Sequence, residues 1–106
     1  MKSKSLGKGS NPVIFRILET DAGKAQQAEA WLYESMKANE IEGRVYLVFE
    51  LLEFSRMGLT CLPALELNGV VLSQGSPLNQ ETLEHICRRL AFAQKEIEGR
   101  KIRDKN

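Results

Sequence analysis

The sequence predicts a single α/β domain with element order β-α-β-α-β-β-α, a four-stranded mixed sheet with helices on both faces. Three observations lead there. VIFRIL, residues 13–18, is short, β-branched and apolar at both parities, the composition of a strand buried on two faces. Asn68-Gly69 separates PALEL from VVLSQ, and Asn-Gly is the pair best suited to a two-residue type I′ hairpin turn. Two longer segments, 19–39 and 79–97, repeat their apolar residues near helical spacing.

The elements follow in order. Structure begins after Pro12 with the strand 13–18. In ETDAGKAQQAEAWLYESMKAN, Ala25, Ala28, Leu32 and Met36 share a helical stripe, with Trp31 and Ser35 beside them. Thr20 or Asp21 caps this helix by accepting from an early backbone N–H, and Asn39 lies at its end. Trp31 and Tyr33 cannot both face the sheet, so one covers a helix edge. Arg44–Val48 favours a strand. Glu50–Met57 places Leu51, Phe54 and Met57 three residues apart, a short helix ending at Gly58. After the hairpin, Gly75-Ser76-Pro77 breaks the chain. Asn79 caps a last helix whose stripe is Leu83, Ile86, Cys87 and Leu90. The opening βαβ implies parallel strands, and the hairpin adds an antiparallel pair.

Composition bounds the function. At 106 residues the chain is one domain with room for a core. Residues 1–11, rich in Gly, Ser and Lys, are expected to form a disordered tail, residues 12–98 the domain, and residues 99–106 a charged tail that frays after Gly99. The net charge of +1 gives no global pull on nucleic acid or an acidic membrane, and neither is expected as a partner. No signal peptide or membrane span is visible, so a cytoplasmic protein with free thiols is expected. One histidine, His85, and two distant cysteines cannot furnish a zinc site, and no cofactor is expected. His85 lies one position off the apolar stripe, on the solvent side.

With these elements placed, GLTCLPALELNGVVLSQG, residues 58–75, and the helix after it resemble the thioredoxin superfamily, most of all its very small prokaryotic thioredoxin- and glutaredoxin-like members. The resemblance covers residues 13 to about 93 and implies a thioredoxin-like fold with a cis-proline at Pro63. The family's Cys-x-x-Cys stands between the first strand and first helix, where a thiolate gains from the unpaired N–H groups of the helix terminus. Here Asp21-Ala22-Gly23-Lys24 occupies that place. Neither Asp21 nor Lys24 attacks a disulfide, so dithiol exchange is not expected, and Asp21 reads as a helix cap.

Cys61 is the thiol nearest the family's chemistry. Side chains alternate in an extended segment, and by the resemblance the residue before the cis-proline faces the groove. Leu62 is therefore expected to face the groove, and Cys61 to turn inward as packing. Cys87 reads as a small core residue. What survives is a binding groove formed by Thr20, Asp21, Lys24, Leu62 and Pro63, where the family pairs an extended peptide as an added strand. The first expectation is a non-catalytic domain binding a protein or peptide partner. The alternatives are an oxidoreductase using Cys61 as a single thiol, with glutathione or a partner cysteine, and a dimerisation or scaffold module.

Overall fold

The structure, a computed structural model, describes residues 12–105, with side chains described through residue 97. The tail expected over residues 1–11 lies outside the described residues. The elements are β1 (Val13–Leu18), α1 (Ala22–Ala38), β2 (Gly43–Val48), α2 (Leu51–Arg56), β3 (Ala64–Leu67), β4 (Val70–Gln74) and α3 (Gln80–Lys105). They form one mixed four-stranded sheet in the order β2-β1-β3-β4. β1 pairs parallel with β2, Val13 opposite Gly43, and antiparallel with β3, Phe15 opposite Leu67. β3 and β4 form the hairpin, with an irregularity between Leu65 and Glu66. This is the expected α/β order.

Each turn has a local cause. Asn68 and Gly69 take φ of 49° and 90°, the positive values a type I′ turn requires. Asn68 also reaches β1: its N–H donates to Ile14 O at 2.9 Å, and its Oδ1 accepts from Ile14 N at 2.8 Å. α1 and α2 end alike. Ile41 N donates to Met36 O at 2.8 Å and Glu40 N to Lys37 O at 3.2 Å. Leu59 N donates to Phe54 O at 3.1 Å and Gly58 N to Ser55 O at 3.0 Å. Both are Schellman motifs, which turn on one residue in the left-handed region. α2 uses Gly58 there; α1 uses Glu40, at φ 56°.

The alternation of β1 divides the core. Val13, Phe15 and Ile17 face α1 and α3, where they meet Leu32, Leu65, Leu83 and Cys87 in one buried cluster. The stripe of α3 packs as expected, with Ile86 and Leu90 at its margin. Leu18, on the opposite face, joins Phe54 of α2 and Ala64 in a second, smaller cluster. The same face carries Arg16, whose Nη2 donates to Glu53 Oε2 at 2.7 Å and whose Nη1 lies 3.3 Å from Glu66 Oε2. The hydrogen bond from Arg16 holds the Glu53 carboxyl below its ordinary pKa.

Two expectations are corrected, and a third is resolved. Leu51 is 70% exposed, so α2 buries Phe54 and not the whole three-residue series. α3 does not stop near Gly99 but runs on to Lys105. A glycine costs about 1 kcal/mol in a helix interior, and the Lys, Arg and Glu around it are good helix formers. Tyr33 is the aromatic at the edge: its hydroxyl accepts from Val45 N at 2.9 Å, satisfying a donor on the outer side of edge strand β2, while Trp31 packs against the larger core.

Candidate functional site

The end of β1 and the tip of α1 form one wall of the site. β1 stops at Leu18, and Glu19 N donates to Val48 O at 3.2 Å. Asp21 is the N-cap, with Oδ1 accepting from Lys24 N at 3.0 Å. Of the two caps proposed from the sequence, Asp21 fills the role, and Thr20 is exposed beside it. Glu19 does what the sequence did not announce. It is only 8% exposed, and its Oε2 accepts from Asp21 N at 2.9 Å. The helix terminus is therefore served by two carboxylates in series.

The second wall is the loop before β3. The Leu62–Pro63 peptide bond is cis, as the resemblance implied. Pro63 O accepts from Gly75 N at 2.9 Å, and Thr60 N donates to Gln74 Oε1 at 3.1 Å. These bonds fasten the loop to the end of β4. Gly75, at φ 84°, is needed there: a Cβ on it would lie 3.0 Å from Cys61 Cβ and 3.6 Å from the sulfur. Between these two fixed points, the backbone N–H and C=O of Leu62 make no hydrogen bond among the described residues.

The third wall is the entry to α3. Asn79 Oδ1 accepts from Thr82 N at 2.8 Å, the expected cap, and Pro77 and Leu78 lead into it. The three walls enclose an open cavity of about 370 Å³, within the range of small-ligand or side-chain pockets. Its lining is mainly apolar, with Ile17 and Ala28 at the back, Trp31, Pro63 and Leu78 at the sides, and the polar groups of Glu19, Lys24, Gln27 and Asn79 among them.

Of the five groove residues read from the sequence, Lys24 and Pro63 meet in this cavity. Thr20 and Asp21 stand at the helix tip but do not line it. Leu62 does not face the groove: its side chain packs beside Leu18, Phe54 and Ala64 on the α2 face. Counted back from β3, it shares the parity of Ala64, so the same alternation that places Ala64 there places Leu62 there. Cys61 does not turn inward either; it is exposed, over Gly75, and Thr60 Oγ1 lies 3.8 Å from its sulfur. Residues 61–63 form bends and not a strand, so strict alternation does not extend to Cys61. Cys87 is buried as expected, and burial, with a smaller push from the Glu84 carboxylate, raises its thiol from 9.0 to about 11. His85 is exposed.

Among the described residues no group of three or more His, Cys, Asp or Glu is placed to hold a metal, and no helix is long and apolar enough to cross a membrane. No protein-family model matches the chain, and no curated protein matches it.

Proposed function

We propose that this chain is a thioredoxin-like domain that works by binding, holding an extended segment of a partner protein in the cleft between the tip of α1 and the Pro63 loop. The observation that carries this reading is the pair of unbonded backbone groups on Leu62, held between two anchored neighbours and beside a cavity. A backbone N–H and C=O on one residue that no internal group pairs with are what an incoming strand can pair with. The cavity next to it gives one side chain of that strand a place to lodge. Asp21 and Lys24, where the resemblance would place a dithiol, support binding over exchange, because neither is a sulfur nucleophile.

The test follows the Leu62 amide by NMR while a degenerate pool of acetylated, amidated heptapeptides is added. The Leu62 and Gly75 amides should shift, and the Leu62 amide should become protected from hydrogen exchange. Shifts confined to the outer edges of β2 or β4, with Leu62 unmoved, would refute the groove.

The exposure of Cys61 favours one second reading, a single-thiol exchange. The Cys61 thiolate would attack a partner disulfide, forming a mixed disulfide and releasing the other sulfur as a thiolate; an external thiol would then resolve it. Cys87 cannot serve as the resolving thiol from inside the core. Insulin reduction with dithiothreitol separates the two readings. The binding reading expects no turnover above the uncatalysed rate. Turnover that Cys61→Ser abolishes would establish the thiol reading instead.

A further inference from the structure

We infer that the cavity selects a cationic side chain, Lys or Arg, on the partner segment, with Glu19 as its acceptor; this rests on the binding reading above. Glu19 is over nine-tenths buried and lines the cavity. Its Oε2 is occupied by Asp21 N. Its Oε1 has no hydrogen-bond donor or cation among the described residues, and Lys24, on the same cavity, forms no ion pair with it. A buried carboxylate with an unmatched oxygen is costly unless something pairs with it. The helix terminus accounts for one oxygen and leaves the other without a partner on a residue that lines a space a ligand can fill.

The rest of the lining fits the same occupant. Ile17, Ala28, Pro63 and Leu78 supply the apolar wall that the methylene stem of Lys or Arg packs against. Trp31 adds aromatic surface to the lining, against which a methylene stem also packs. The amide of Gln27 is the acceptor left for the remaining N–H groups, since Asn79 Oδ1 already accepts from Thr82 N. Lys24 opposes a cation weakly from the exposed rim, where solvent screens it. An anionic side chain would meet Glu19 directly and is excluded by like charge.

Trp31 is the chain's one tryptophan, so its fluorescence reports occupancy of the cavity. The probes are four acetylated, amidated heptapeptide pools with Lys, Arg, norleucine or Glu fixed at the centre. The Lys and Arg pools should bind about tenfold more tightly than norleucine, the scale of one charge-assisted hydrogen bond, and the Glu pool most weakly. Glu19→Gln, which keeps an acceptor for Asp21 N, should melt near the parent and reduce the Lys-over-norleucine preference to about twofold or less. Lys24→Ala should widen that preference. Glu34→Gln, on the exposed side of α1, is the charge-matched control and should leave it unchanged.

Equal binding of the Lys and norleucine pools, with the Leu62 amide still shifting, would overturn the cation while leaving the groove. An equal loss of preference in Glu34→Gln would reduce the effect to general charge and also overturn it. Free n-butylammonium binding as tightly as the Lys pool would overturn a peptide source in favour of a small amine. Failure of every pool to move either Trp31 or Leu62 would remove both readings.

Discussion

The two faces of the sheet are closed in different ways. On one, two long helices bury a continuous apolar cluster in which Phe15, Ile17, Leu32, Leu65, Leu83 and Cys87 are all fully buried. On the other, the six residues of α2 close a smaller cluster in which Leu18, Phe54 and Ala64 are buried and Val48, Met57, Leu59 and Leu62 only partly so. Ile14 and Tyr46, which alternation assigns to that face, stay 46% and 50% exposed. Between them an arginine and two glutamates take the place of apolar packing. The contrast teaches where stability and adaptability are separated in this fold. The cleft opens at the end where both faces run out, so its α1 wall is backed by the larger core and its proline loop by the smaller one.

The largest expected effect breaks the contrast at its strongest point. Phe15→Ala should destabilise the domain by about 4 kcal/mol, and Phe54→Ala by less, about 3 kcal/mol, because its small, half-open cluster relaxes around the loss. Urea denaturation of both variants checks the order; equal costs would mean that the two faces are energetically alike. Next comes the ion cluster. Arg16→Ala leaves Glu66, 4% exposed, without its cation. The cost should be about 2 kcal/mol, below that of a fully buried pair because Arg16 is partly solvated. Glu66→Gln introduced together with Arg16→Ala should recover part of it.

Asp21→Ala removes the cap of α1 and should cost about 1 kcal/mol, with hydrogen exchange accelerating first at the Lys24 amide. A loss confined to Lys24 and its neighbours would locate the cap's contribution in the cleft wall and not in the core. The smallest effect is silent at neutral pH. Burial raises the Cys87 thiol to about 11, so the folded state keeps a proton that the unfolded state gives up from about pH 9. That contribution is complete below the unfolded value and drains away as pH rises from 9.0 toward 11. The urea midpoint should therefore fall more steeply with alkaline pH in the parent than in Cys87→Ala. Parallel slopes would contradict a buried neutral thiol.

Much of the architecture was legible in the residues themselves. VIFRIL, the Asn-Gly turn, the stripe of the last helix and the caps at Asp21 and Asn79 carry their reasons locally, in periodicity and in hydrogen-bonding side chains. The cleft was less legible. Lys24 and Pro63 were identified, but Gln27, Trp31 and Leu78 become its walls only when segments far apart in the chain converge. Glu19 left a faint signal, a charged residue directly after a strand that is apolar except for Arg16 and shortly before a helix cap. Leu62 keeps the parity of Ala64 and so faces α2, against the groove-facing position that the resemblance implied, whereas Cys61 sits where the chain bends and alternation, a property of strands, no longer sets its direction. The continuation of α3 past Gly99 shows the limit of a single breaker among strong helix formers.

The Asn68-Gly69 turn has a bearing on how the molecule ages. Asn-Gly is the sequence most prone to spontaneous deamidation, because the glycine nitrogen can attack the side-chain carbonyl carbon and close a succinimide ring. Here that carbonyl oxygen is engaged by Ile14 N at 2.8 Å, and the hairpin fixes the backbone on both sides. With side chain and backbone both held, the rotations that bring the Gly69 nitrogen onto that carbon are restricted while the hairpin is formed. Isoaspartate at position 68 should therefore accumulate more slowly in the folded chain than in the same chain unfolded in urea, which mass spectrometry of aged samples checks.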